Sequence, residues 1–499
     1  MSEIIISDKL DEVSPSFCLA KWNMVSLHLT NGKTHSCYHN PTHDIPVEGL
    51  QENPGLLHNT ERKIIERKEM REGIRPKGCE YCWKIEDSGH KSDRHYRSSE
   101  NWNLPDFDKI AYGDLDETIT PAYIEVNFNQ ACNFKCMYCS PHLSTTWEDE
   151  IKKYGPYKVN GIEHNNIIAL ERGGLMPKKT SQKENPYVQA FWKWWPEVYP
   201  NLKIFRMTGG EPLMDKNTFK VLDYVREHPN SDLELSVTSN MCPPTQDLFE
   251  KFLGKIKEIE KIQIWHDPNK FNPNSGNYHY VSPAIKHLLM FISVDSVGKQ
   301  AEYMRTGLDF DRLHSNLLKL LDETNGCTVT FINTFNLLSI PNLRGFLEWV
   351  LELRQRYSHS NQRKIELQVP ASGGRKHPNF VRPKTQKIMF DIPLLRSPIW
   401  FNIRLGNNNE YLLNTMKENI HFMEQNKTKG NFTGFEDWEI DKLRRNLDFM
   451  TDPMTDEQRN DVGKTFVEYV DEMDRRRDTS FKDTFPELIE LYEAYKNDT

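Results

Sequence analysis

Between residues 113 and 375, short β-rich runs alternate with amphipathic stretches, and this alternation constrains the fold of the 499-residue chain more than any other feature. The strand-sized runs are YIEVNF (123–128), LKIFRMT (202–208), LELSVTS (233–239), HLLMFISV (287–294), TVTFIN (328–333) and IELQV (365–369). Helical patterns separate several of them, among them TFKVLDYVREH (218–228) and LRGFLEWVLELRQRY (343–357). In the latter, Phe346, Val350 and Leu353 recur at three- to four-residue spacing. Strands separated by helices predict a parallel sheet, and six such units predict an open or closed α/β barrel. Two long interruptions, 140–200 and 254–286, exceed a minimal barrel and are expected to fold over one rim or form small subdomains.

The flanks differ in texture. Residues 1–112 carry four of the nine cysteines and many histidines, whereas 376–499 is highly charged and helical in pattern. A net charge of −8 argues against a protein that coats nucleic acid, which needs a concentrated basic surface. The N-terminus MSEIIISDKLDEVSPS lacks a basic lead and a leader-sized apolar stretch, and no run approaches the roughly 18 apolar residues of a membrane span. A cytoplasmic location with no membrane or nucleic-acid partner is therefore expected. Nine cysteines in such a chain read as metal ligands or free thiols, with Cys242 and Cys327 as core or loop residues. FWKWWPEVYP (191–200) is expected to be a helix end packed on the barrel, and WHDPNKFNPNSGNYHY (265–280) has the turn chemistry of a lid. Nothing marks His266 or Asp267 as perturbed, so no catalytic proton carrier is assigned. TFVEYVDEM puts Phe466, Val470 and Met473 on one helical face, and DRRRD after it reads as a solvated charge run.

Directly after the first strand stands CNFKCMYC, with thiols at Cys132, Cys136 and Cys139. Thiolates so close on one loop can converge on one metal centre, and iron–sulfur clusters take Cys thiolates, usually four. Three would leave one iron open to another ligand. Structural zinc usually pairs two C-x₂-C halves, which this loop does not. The C-x₃-C-x₂-C loop resembles the signature of the radical S-adenosylmethionine (SAM) superfamily. That resemblance implies a [4Fe–4S] cluster on the three cysteines, with SAM chelating the fourth iron. Reductive cleavage would then give a 5′-deoxyadenosyl radical that abstracts a substrate hydrogen. It further implies that Tyr138 lies beside the adenine and that Gly209, Gly210 and Glu211 of TGGEP bind the SAM amino group. Asn240 in TSN, Ser293 and Asp295 in ISVDS, and Arg305 in YMRTG are implied SAM contacts, Arg305 as a fork for its carboxylate.

In the N-terminal region thirteen residues separate Cys18 from Gly32 and four more precede Cys37, with Cys79 and Cys82 forming a later C-x₂-C. This is similar to the twitch version of the SPASM auxiliary-cluster domain, though that module normally follows its barrel. The resemblance implies a second [4Fe–4S] cluster on these four thiolates, with zinc as the alternative. Gly32 is expected to make the hairpin turn in TNGKT. The expected architecture is a partial (β/α)₆ TIM-like barrel (113–375), an N-terminal twitch-like metal module (1–112) and a helical C-terminal extension (376–499). The implied activity is radical SAM chemistry on a peptide or protein, or on a small molecule. The auxiliary cluster would assist oxidation, and a low-potential reductant such as flavodoxin or ferredoxin would supply electrons. The competing expectation is a non-catalytic zinc or iron–sulfur scaffold.

Overall fold

Nine strands build one sheet: β1 Met24–His28, β2 Lys33–His35, β3 His43–Asp44, β4 Tyr123–Asn127, β5 Ile204–Thr208, β6 Asn230–Ser239, β7 Ile285–Ser293, β8 Cys327–Ile332 and β9 Lys387–Asp391. The computed structural model describes residues 6–113, 118–178, 184–265, 281–358, 386–428 and 432–496. Strands β4 to β9 lie side by side in chain order and all run parallel, as a β/α succession requires. Five of the six expected strands are present within a few residues of their expected bounds. The sixth candidate, IELQV, lies outside the described residues. The sixth parallel strand is β9, inside the segment read from sequence as the C-terminal extension. Its β signal is only the alternation of buried Ile388 and Phe390, too short to stand out in a polar, proline-flanked stretch.

Alternate side chains of the strands point into the core shared with the helices. Ile124 and Val126 of β4, Phe205 and Met207 of β5, and Leu288, Met290 and Ile292 of β7 are all essentially buried. Helix Pro186–Val198 packs the expected aromatic cluster there, with the Trp195 ring 4.6 Å from that of Phe205. Helix Leu343–Tyr357 does the same at the far edge, with Trp349 4.5 Å from Phe331 and Phe346 5.8 Å from Phe390. The opposite face is half-buried and polar. There Glu125 on β4 faces Arg206 on β5, and the guanidinium also lies 4.1 Å from the Phe291 ring on β7.

The N-terminal region does not stand apart from this sheet. Strand β1 pairs in parallel with β4, in register from Met24 opposite Tyr123 to His28 opposite Asn127, and β2 and β3 continue the edge antiparallel. Gly32 turns the β1–β2 hairpin at φ +73°, and a Cβ there would lie 2.1 Å from the Tyr187 ring. Both the left-handed turn and the close approach require glycine. Among the described residues no helix is long and apolar enough to cross a membrane.

Candidate active site

The loop after β4 is fixed by its carbonyls, which side chains from three other segments hold. Thr145 Oγ1 donates to Cys132 O (3.2 Å), Ser144 Oγ and Thr146 Oγ1 to Phe134 O (both 2.7 Å), and Trp147 Nε1 to Cys136 O (2.8 Å). Asn165 Nδ2 donates to Cys139 O (3.0 Å). From the far end of the chain, Arg477 donates to Lys135 O (2.8 Å) and Tyr469 OH to Met137 O (2.6 Å). The residues Lys135 and Cys136 also pair antiparallel with Thr306 and Arg305. A short irregular loop thus holds its three thiols in a set conformation before any ligand binds. Burial pushes the Cys139 thiol up to about 12 and raises Cys132 and Cys136, so each remains a neutral thiol until a cation arrives.

Sequence reading missed Arg477 and Tyr469. Arg477 was taken as part of a solvated run; its side chain is fully buried and pairs with Glu150. The signal was present, because the apolar stripe Phe466, Val470, Met473 on helix Asp456–Arg477 continues at helical spacing through Arg476 and Arg477. Arg476 is likewise buried, donating to the carbonyls of Gly155 (2.8 Å) and Pro156 (3.2 Å), and only Arg475 of the three is exposed.

The glycines of TGGEP serve the cysteine loop. A Cβ on Gly210 would stand 2.3 Å from Ala131 O, and Gly209, at φ +127°, would place one 2.5 Å from Asn127 Oδ1. The N–H of Gly210 donates to Asn129 O (3.2 Å) and that of Glu211 to Ala131 O (2.6 Å), so the β5 turn braces the approach to Cys132. Glu211 turns inward: its carboxylate accepts from Leu213 N (2.9 Å), Ser239 Oγ (2.7 Å) and Asn240 N (2.7 Å). Asn240 in turn donates to Asn133 Oδ1 (3.0 Å), joining the end of β6 to the same loop.

Burial raises Glu211 from 4.5 to about 7, against the three donors that oppose the rise. Because the folded value lies above the unfolded one, the carboxyl stabilises the fold fully below pH about 4.5. That contribution is lost as pH climbs through about 7. Relative to Glu211→Gln, the protein should lose on the order of 3 kcal/mol of stability between pH 5 and 8, read from denaturation curves across that range. Parallel pH profiles for the two proteins would refute this.

Asp295, Arg305 and Tyr138 form one buried group beside Cys136. Arg305 lies with Nε 2.9 Å from Asp295 Oδ2 and donates through Nη2 to Oδ1 (3.0 Å), while Nη1 reaches Cys136 Sγ at 3.5 Å. Asp295 also accepts from Tyr138 OH (2.8 Å) and Thr334 N (2.8 Å), and Arg305 donates to the Tyr138 hydroxyl. The guanidinium expected to face the carboxylate of SAM is held by Asp295. Ser293 ends β7 half-buried, opposite Ile332. Around the same strand ends, Asn127 Oδ1, Gln130 Oε1 and Asn333 Oδ1 are buried without a hydrogen-bond partner. Buried polar atoms are ordinarily satisfied, so three orphaned acceptors at one rim fit a ligand that brings donors such as an ammonium or hydroxyls. SAM carries both.

The four N-terminal thiols also come together. Cys18, Cys37, Cys79 and Cys82 line one small cavity of about 30 Å³ with Lys21, Asn40 and Arg94. Burial raises Cys18 to about 12 and Cys79 to about 11, with neighbouring thiols adding to both. Buried Lys21 and Arg94 line this hollow. Carboxylates pair with both: Glu66 with Lys21, and Glu86 and Asp11 with Arg94 (each 3.0 Å). Lys63 donates to Thr34 Oγ1 (2.9 Å), and burial, with Arg67 and Lys21 nearby, lowers its amine well below the usual lysine range. Buried charge requires compensation, and a centre bound by four thiolates would bring a net negative charge to this spot. Among the described residues no three His, Cys, Asp or Glu side chains close tightly enough to hold a single metal ion. A cube has a different requirement, because its irons stand at separate corners and take one thiolate each.

No protein-family profile matches the chain. Sequence comparison finds GTP 3′,8-cyclases: one from Campylobacter lari is 24% identical over 118 residues, which is 24% of this chain and 27% of that protein. One from Syntrophomonas wolfei is 22% identical over 118 residues (24% and 26%), and one from Sulfurovum sp. 22% over 127 (25% and 29%). The chain thus spans about a quarter of the length of the curated relatives it matches. Among solved structures, Streptococcus suis SuiB bound to S-adenosylmethionine aligns at a TM-score of 0.27 and 13% identity, over 66% of this chain and 59% of that one. The parallel strands in chain order and the cysteine loop that follows β4 stand beside this partial likeness to the GTP 3′,8-cyclases.

Proposed function

We propose that this protein is a radical SAM enzyme whose first centre is held by Cys132, Cys136 and Cys139. The supporting observation is the loop itself: three thiols on a backbone whose carbonyls are already taken, beneath a rim of orphaned polar atoms. A [4Fe–4S] cube held there by Cys132, Cys136 and Cys139 would supply the one-electron chemistry that reductive cleavage of a bound sulfonium such as SAM requires. The chain's own part is positioning. Arg305 sets a positive charge beside Cys136, and Asp295 fixes the guanidinium. Asn127, Gln130 and Asn333 offer acceptors to the amino acid and ribose portions of SAM.

The second centre of the proposal, on Cys18, Cys37, Cys79 and Cys82, is a [4Fe–4S] cluster that accepts an electron during substrate oxidation. Its support is the meeting of the four thiols in one hollow beside Lys21 and Arg94. By analogy with the twitch and SPASM subgroup that the cysteine pattern resembles, the substrate proposed is a peptide or protein. The name of the relatives favours a second reading, a small molecule such as a nucleotide. A flavodoxin- or ferredoxin-type donor in the cytoplasm would reduce the first centre.

The test is anaerobic reconstitution followed by SAM and dithionite. Wild type should release 5′-deoxyadenosine, and Cys136→Ala should release less than about a hundredth as much, since catalysis requires the correctly held centre. Full iron loading without 5′-deoxyadenosine would instead establish the non-catalytic scaffold.

A further inference from the structure

The donors around the four N-terminal thiols are not evenly distributed. Lys21 lies under the hollow with only a few per cent of its side chain exposed, and its Nζ stands 3.8 Å from Cys79 Sγ. Asn40 bridges the same region, its amide oxygen accepting from Lys21 Nζ (2.7 Å) and its nitrogen donating to Gly78 O (2.7 Å). That orientation turns the amide nitrogen toward Cys79 Sγ (3.4 Å) and Cys37 Sγ (3.7 Å). The remaining two sulfurs have other partners: Ser98 Oγ lies 3.9 Å from Cys18 Sγ, which also feels the Arg94 guanidinium, and the Ser92 side chain and the Arg94 backbone N–H donate to Cys82. Among the described residues, the cationic nitrogen within hydrogen-bonding reach of one of these four sulfurs is Lys21 Nζ at Cys79, backed by Glu66 on its other side.

Resting on the reading of this hollow as an iron–sulfur site, we infer that Lys21 sets the reduction potential of the second centre and makes it an electron acceptor. Reduction adds one negative charge to a group already made anionic by four thiolates. An ammonium against one sulfur stabilises the reduced form more than the oxidised form, and nothing in a shielded hollow screens that difference. Glu66 opposes the effect, because its carboxylate draws on the same ammonium. Lys21 is a tuning residue and touches neither SAM nor substrate in this arrangement. The opposed pair gives the inference a sign that general damage to the module would not produce.

The experiment uses full-length protein reconstituted anaerobically in a Cys132→Ala, Cys136→Ala background, which leaves only the second centre. Redox titration followed by electron paramagnetic resonance then reads the ratio of reduced to oxidised cluster. Lys21→Met should lower that ratio at least tenfold at fixed potential, a midpoint about 59 mV lower for one electron. Lys21→Arg should restore most of it, and Glu66→Gln should move the ratio in the opposite direction. If Lys21→Met fails to load iron, Glu66→Gln alone decides: a raised midpoint supports the inference and an unchanged one overturns it. An unchanged midpoint in iron-replete Lys21→Met, or shifts of both variants in one direction, overturns the inference while leaving the cluster reading intact. One zinc and no iron at this site overturns both.

Discussion

Gly210→Ala should cost on the order of 100-fold in the rate of SAM cleavage while leaving the barrel folded. The added methyl would stand 2.3 Å from Ala131 O and 2.6 Å from the carbonyl carbon of Gln130, both backbone atoms that cannot swing aside. Relief requires the strand that enters the cysteine loop to move, and Cys132 is the next residue. A displacement of about 1 Å at a reacting centre is enough for a loss of that size. Gly254→Ala is the control: nothing lies within 4 Å of its Cβ, and it sits inside helix Gln246–Glu260, where alanine is favoured by roughly 0.5–1 kcal/mol. Release of 5′-deoxyadenosine at the wild-type rate by Gly210→Ala would show that the β5 turn does not position the loop.

Arg477→Met is expected to destabilise the protein by about 3 kcal/mol and to reduce iron retained on the first centre. Its guanidinium pairs with Glu150, donates to Lys135 O and to Thr306 Oγ1 (3.1 Å), and lies 4.8 Å from the Trp147 ring. Methionine fills much of the volume but leaves Lys135 O without its partner and Glu150 with less compensation. Glu150 keeps Lys135 Nζ (2.7 Å) and Tyr157 OH (2.6 Å), which places the cost at the lower end for a broken buried pair. Chemical denaturation and iron analysis on the same preparations measure both effects. Truncation before the helix Asp456–Arg477 would confound them, because that helix also buries Phe466, Val470 and Met473. Equal stability and equal iron content would show that the C-terminal helix does not brace the cysteine loop.

These two results concern residues of different legibility. TGGEP was readable because glycines at a strand end are few, and their close approach to a neighbouring loop leaves a mark in sequence. Arg477 was not, because an arginine in a charged run has the same sequence signature whether it faces water or a carbonyl. The sixth strand was hidden for a related reason: five residues of modest hydrophobicity become a strand only when β8 offers an edge to pair with. The cysteine spacings announced both thiol sets, but not that Lys21 and Asn40, far from Cys79 in sequence, would meet its sulfur.

By itself the sequence determined what is local: the β/α alternation, the thiol spacings and the glycines that permit a tight turn, all set by periodicity and backbone sterics over a few residues. Only the tertiary structure decided which distant groups neutralise buried charge and hold the loop's carbonyls. It also decided that the N-terminal strand joins the barrel's first strand. Those choices depend on burial and on partners hundreds of residues apart, such as Tyr469 on Met137, whose pairing energy no local pattern records.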